Sequence, residues 1–379
     1  MVRTKPIINR QFVLNWKHII SIFLLSRLII GILYIFIAKF RDIGLLDGST
    51  YCTFDCNWYL SIIKHGYTLL PVIVDQSTLN QSNLAFFPLM PVIIKLIIYP
   101  FTLIFSMRQV GVIAVVFGII MNNLLLLGSL YLLKIYFTNK IDSIRLTFLL
   151  ILVSLSPLNI YINSLYPESL YLFLSLVLVV LIENRKYFLG SLVLSLVSIC
   201  KPQGVFFIPV FMFLMLTSTA VKPYRKPMYL LISLIPITLY FAYIYALTKD
   251  FLFYFHIQES GWGFSLINVF RLLNTSGFPG LVNFLYSNGS LLIYLFIYLF
   301  VCIQLLRNRF VIEFFFFLPI FLLSVLSLHV EFRWALSSYA LYLSFVLFKR
   351  LSNIYFALTI MFVTLFNFML SWTSGLGPI

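Results

Sequence analysis

Apolar stretches of roughly 18 to 22 residues, the length a helix needs to cross ~30 Å of hydrocarbon, recur along almost the whole of this chain. They lie near residues 18–40, 86–106, 110–133, 146–163, 167–183, 187–200, 202–219, 227–247, 290–306, 310–328, 334–348 and 354–372. A water-facing surface needs far more charge than the 10% present here, and 62% of the residues are hydrophobic. The expected fold is all-α: a polytopic transmembrane helix bundle forming one integral-membrane domain over 1–379.

The net charge of +15 comes from short basic clusters between apolar runs, with no continuous basic stripe. That pattern excludes a nucleic-acid partner and reads as topology information, with membrane lipids as the partners. Lys134/Lys140/Arg145, Arg185/Lys186, Lys222/Arg225/Lys226, Arg307/Arg309 and Lys349/Arg350 fall at every second connection. The positive-inside rule places these in the cytoplasm together with Arg3, Lys5, Arg10 and Lys17, ahead of an apolar run expected to remain as an uncleaved anchor. Two apolar segments lie between the first outer loop and the inner Lys134 cluster, where an odd number of crossings is required. Pro88, Pro91 and Pro100 make 86–106 the broken or re-entrant one, because each proline removes a backbone donor. The count is then about 11 spans, with the C-terminus outside.

Two connections are long, 41–83 and 248–289, and both fall on the outer side. Of only 11 acidic residues, eight gather there or in other outer connections: Asp42, Asp47, Asp55, Asp75, Glu168, Asp250, Glu259 and Glu331. In the first loop, Trp58, Ile62 and His65 recur at helical spacing, as do Tyr59, Ile63 and Gly66, so residues 56–66 suit an amphipathic helix at the interface. Asp55 stands at its first turn. It suits a helix cap, and equally a general base that takes the proton of an attacking sugar hydroxyl. With a phosphate leaving group one carboxylate suffices, whereas a glycosidase needs two opposed ones.

Other polar groups stand where they are expensive. Glu168 heads a span, as a helix N-terminal acid or a pocket residue. Lys201, in Lys201-Pro202-Gln203-Gly204, must reach water by snorkelling or meet an anion such as a lipid phosphate. Arg333, in His329-Val330-Glu331-Phe332-Arg333-Trp334, offers several donors to a phosphate, while His329 and Glu331 suit a structural pair. Arg27, inside the first span, calls for an outer-side acid. Cys52, Cys56 and His65 lack a fourth ligand for zinc, so no metal and no cofactor is expected; Cys52 and Cys56 are the two of four cysteines able to meet, and their redox state stays open.

The stretch Phe54-Asp55-Cys56-Asn57-Trp58-Tyr59, followed by Ala85-Phe86-Phe87-Pro88-Leu89-Met90-Pro91, resembles the PIG-V family, which includes the enzyme adding the second mannose of GPI anchors and its prokaryotic relatives. Leu165-Tyr166-Pro167-Glu168-Ser169-Leu170 is similar to that family's Tyr-x-Glu-Ser-Leu stretch, Lys201-Pro202-Gln203-Gly204 to its Arg-Pro/Ser-x-Gly turn, and Gln258-Glu259-Ser260-Gly261-Trp262-Gly263 to its Gln-to-Trp segment. The resemblance implies a GT-C fold and an inverting mannosyltransferase. Its donor would be a polyprenyl (dolichyl) phosphate mannose and its acceptor a lipid-linked glycan or glycolipid. It maps the base to Asp55. Trp58, His65, Glu168, Lys201, Gln258 and Arg333 become donor and substrate contacts. Lys201 replaces the family's arginine and Cys56-Asn57 its small residues. The length implies an archaeal or bacterial cell membrane with the site facing out, the alternative being the endoplasmic reticulum membrane with the site facing the lumen. Two other readings share this hydropathy: a multi-pass lipid or solute transporter or flippase, and a non-catalytic subunit of a glycosylation complex in which Asp55 is only a cap.

Overall fold

The computed structural model describes residues 15–42, 44, 51–69, 81–329, 332–348 and 350–373, and every regular element among them is helical. Five helices are long and apolar enough to cross a bilayer: α1 (Trp16–Arg41), α4 (Met107–Phe137), α11 (Lys226–Thr248), α14 (Gly289–Arg307) and α18 (Leu351–Thr373). The chain is a helical membrane protein. Leu24, Leu28, Ile32, Leu124, Leu231, Leu239, Phe296 and Phe356 lie exposed on these helices, as a lipid-facing side requires and a water-facing one forbids.

The remaining apolar helices are short. α3 (Leu89–Thr102), α5 (Ser143–Ser154), α7 (Glu168–Glu183), α8 (Tyr187–Ser198), α10 (Phe207–Thr217), α15 (Val311–Ser327) and α17 (Tyr339–Val346) run from 8 to 17 residues. In α3, Pro88 takes the cap position and Pro91 the first turn, where a missing N–H does no harm, and Pro100 sits near the end. At 14 residues it spans about 21 Å, and like the other short helices it is shorter than the ~30 Å of hydrocarbon.

Packing gathers the short helices around α4 and α7. α4 lies against α7 and α3, α7 against α8, α8 against α11, and α15 against α10, α14 and α17. Gly204 shows how close the approach becomes: a Cβ there would stand 2.1 Å from the Val197 carbonyl oxygen, so only glycine lets the turn fold back on α8. The helix expected over 56–66 is α2 (Asp55–His65), which buries Cys56, Trp58, Tyr59, Ser61, Ile62 and Ile63. Its inner face is therefore more deeply packed than an interfacial helix needs. The second long connection is also helical, as α12 (Phe253–Trp262) and α13 (Asn268–Ser287), with non-helical backbone at Gly277 inside α13.

One expectation is corrected, one open point is closed and one alternative falls away. Among the described residues Arg27 finds no acid: its guanidinium donates to the Asn123 and Asn159 side chains and to the Ser154 carbonyl, so neutral acceptors satisfy it inside the bundle. Cys52 and Cys56 form a disulfide with Cα atoms 5.1 Å apart, which removes both thiols from any metal site. Asp55 is the first residue of its helix and Phe54 takes the cap position, without a side-chain cap bond. Asp47, Asp75, Glu331 and the His329–Glu331 pairing lie wholly or partly outside the described residues.

Candidate active site

The connection before α2 brings Asp55 into place. Phe54 has φ +50° and ψ −123°, a positive-φ conformation rare for an L-residue, which costs on the order of 1–3 kcal/mol. Surrounding contacts hold it: the disulfide closes across it, and its ring packs edge-on to Trp372 at 5.4 Å. The Ser164 hydroxyl donates to the Tyr51 carbonyl at 2.5 Å and the Tyr166 hydroxyl to the Thr53 carbonyl at 3.0 Å. These bonds tie the segment before Asp55 to the connection before α7. Asn122 of α4 in turn donates to the Ser164 and Tyr166 carbonyls at 2.8 and 3.0 Å.

Four charged side chains then converge on one cleft: Asp55, Glu168, Lys201 and Arg333. Arg333, on the short helix α16 (Phe332–Leu336), donates from Nη1 to the Asp55 carboxylate. Lys201 Nζ donates to Glu168 Oε1 at 2.8 Å, with side chains only 5% and 1% exposed. Burial lowers the tendency of the Lys201 ammonium to hold its proton, and the adjacent Glu168 carboxylate works against that. With two acids and two cations the empty cleft carries no formal net charge.

The wall of the cleft is aromatic and amide. Tyr59, Phe86, Tyr254, Trp262, Phe264 and Trp334 line it with Gln258. Burial pushes the Tyr59 and Tyr254 phenols well above the usual tyrosine range, so both remain neutral and able to donate. Gln258 Nε2 donates to the Ala85 carbonyl at 3.0 Å, and Tyr240 and Tyr67 donate to the Phe86 carbonyl at 3.1 and 2.7 Å. The Ala85-Phe86-Phe87 segment is thus fixed from three sides.

Of the residues singled out in the sequence, Asp55, Glu168, Lys201, Gln258 and Arg333 meet in this cleft. Trp58 does not line it but supports it, stacked on Phe86 at 5.9 Å and edge-on to Trp262 at 6.1 Å. His65 is a correction. It closes α2 on an exposed surface away from the cleft, because eleven residues of helix carry it about 15 Å from Asp55. Sequence reasoning passed over Tyr59, Tyr254 and Phe264. In a chain with 41 Phe and 23 Tyr, an aromatic residue carries no signal until the fold places it.

A second, almost wholly apolar groove shares a wall with the charged cleft. Phe87, Pro202, Tyr254, Phe264 and Trp334 belong to both, and Val205, Phe206, Phe241, Phe255, Leu266 and Leu323 complete the groove. An ionic head on an apolar tail is the ligand shape that fits the two together. Comparison of the chain with protein-family models, with curated proteins and with solved structures finds no match.

Proposed function

We propose that this chain is an inverting membrane mannosyltransferase of GT-C architecture that uses a polyprenyl (dolichyl) phosphate mannose donor and a glycolipid or lipid-linked glycan acceptor. The observation that carries the reading is the charged cleft joined through a common aromatic wall to an apolar groove. A prenyl chain suits the groove, and its phosphate suits Lys201 and Arg333.

In this mechanism the acceptor hydroxyl oxygen attacks the anomeric carbon from the face opposite the phosphate. Its proton passes to Asp55, the new C–O bond forms, and the bond from the anomeric carbon to the phosphate oxygen breaks. The donor phosphodiester carries one negative charge and the departing monoester gains a second. Cations brought to the phosphate stabilise that developing charge. Both carboxylates are ion-paired, Glu168 to Lys201 and Asp55 to Arg333, but Glu168 is only 1% exposed and Asp55 13%, so Asp55 is the one an acceptor hydroxyl can reach. Arg333 moves its donors toward the phosphate and releases Asp55 for the hydroxyl.

The topology proposed is about 11 spans, with α1, α4, α5, α7, α8, α10, α11, α14, α15, α17 and α18 alternating in direction and the basic clusters on the cytoplasmic side. The cleft then faces out, from an archaeal or bacterial cell membrane, and the disulfide beside it suits an oxidising exterior. The test is purified protein in lipid, given radiolabelled polyprenyl-phosphate mannose and a membrane lipid extract. Labelled product with the wild type and none with Asp55→Asn is expected; equal transfer by a folded Asp55→Asn removes Asp55 as the base, and no transfer by either removes the reading.

A further inference from the structure

A second polar cleft lies beside the charged one, lined by Gly263, Asn268, Arg271, Thr275, Asn288 and His329, with the Phe284 ring in its wall. The two are neighbours along three consecutive residues. Trp262 and Phe264 line the charged cleft, and Gly263 between them lines the second. The His329 ring also stands edge-on to Phe264, centroids 6.0 Å apart. Gly263 has φ +68° and no atom within 4 Å of the place a Cβ would occupy, so no side chain raises the ridge between the clefts at that point.

The chemistry of the second cleft differs from that of the first. Its cation is neutralised: Arg271 Nη1 donates to Glu259 Oε1 at 2.5 Å. That leaves Nε and Nη2 of Arg271 without a partner among the described residues. Asn268 spends its Nδ2 on the Ser327 carbonyl at 2.9 Å and Asn288 spends its own on the Phe284 carbonyl at 2.8 Å. Both amide oxygens lack a partner among the described residues, and so can accept. The cleft therefore offers fixed acceptors, spare donors and an aromatic face, with its cation cancelled by its neighbour. Hydroxyl groups, which donate and accept, satisfy such a lining.

We propose that this cleft binds the neutral sugar chain of the acceptor and delivers its terminal hydroxyl across Gly263 to Asp55. The inference rests on the transferase reading above and assigns to it an acceptor class, a neutral polyhydroxylated chain. The donor occupies the charged cleft and the apolar groove, so the two substrates approach from opposite sides of the Trp262–Phe264 wall. Arg271, Asn288 and Thr275 are exposed, so their replacement is compatible with folding.

The test measures equilibrium binding of a tritiated neutral hexose oligosaccharide to the purified full chain in lipid nanodiscs. Arg271→Ala and Asn288→Ala each remove unshared polar atoms, and Thr275→Trp fills the space. Each is expected to weaken oligosaccharide binding about tenfold, the loss of one or two hydrogen bonds. In the transfer assay the same three variants raise the acceptor KM and leave the donor KM unchanged. Wild-type binding by all three, or no uptake of the oligosaccharide by the wild type, overturns the proposal. Transfer with an unaltered acceptor KM in the three variants removes the cleft and keeps the transferase; cleft-dependent binding without any transfer keeps the cleft and removes the transferase.

Discussion

Asp55 and Arg333, 278 positions apart in the sequence, close on one another as an ion pair inside the charged cleft. The proposed base and one proposed phosphate ligand are thus each other's partner before any substrate arrives. Both are partly buried, at 13% and 26% exposed, so the charge of each is better satisfied by the other than by bulk water.

Replacing Asp55 by Asn keeps the shape of the side chain and removes its charge and basicity. Transfer is expected to fall by about 10²- to 10⁴-fold, the contribution of a positioned general base. Donor binding is expected to persist, because Asp55 then no longer competes with the phosphate for the Arg333 guanidinium. Quantifying both product formation and retention of labelled donor on the same preparation checks this; loss of donor binding in step with transfer assigns Asp55 to binding instead.

Arg333→Lys retains a positive charge but not the planar fork that can serve two anions together. A fall in kcat of about 10²- to 10³-fold is expected, the range seen when one preorganised donor to a developing anion is lost. Steady-state kinetics with the polyprenyl-phosphate donor provide the check, and a lysine variant as fast as the wild type argues that Arg333 contacts no phosphate.

The Lys201–Glu168 pair is almost wholly buried. Lys201→Met leaves a carboxylate buried without its partner, and a loss of about 3–5 kcal/mol of stability is expected. The double variant Lys201→Met with Glu168→Gln is expected to regain most of that stability while remaining slow in transfer. Thermal unfolding in detergent, followed beside activity, separates the two effects; a double variant as active as the wild type removes Lys201 from the phosphate site.

Alkylation of the unfolded, unreduced chain is expected to label Cys200 and Cys302 alone, with Cys52 and Cys56 reacting once a reductant is added. Peptide mass spectrometry reads this out. Cys52→Ser with Cys56→Ser frees the segment that holds Phe54 in its positive-φ conformation, and lowered transfer with an intact bundle is the expected outcome.

Much of this arrangement is legible in the sequence because hydrocarbon makes polar groups conspicuous. Asp55, Glu168, Lys201 and Arg333 could be singled out one at a time, since each is costly where it stands, and the fold brings them together. Their pairing was not legible. In the sequence Lys201 calls for water or an anion, and Glu168, 33 positions away, supplies the anion. Arg27 misled for a similar reason: the sequence shows its charge but not that Asn123, Asn159 and the Ser154 carbonyl surround it. His65 shares helical spacing with Trp58, yet periodicity marks a face without telling how far along the helix that face stays buried. The disulfide hinges on a turn geometry at Phe54 that no residue type there announces.

The short helices have a consequence for competition by water. On the proposed topology, α7 begins at Glu168 and α8 stops just before Lys201, and their lengths of 16 and 12 residues set the charged cleft below the level a full crossing would reach. On the proposed reading, a lipid-borne sugar meets its acceptor without its tail leaving the bilayer. Hydrolysis of the donor is then disfavoured by position: the recessed cleft, rimmed by Phe86, Trp262, Phe264 and Trp334, restricts the supply of the nucleophile that is most abundant outside.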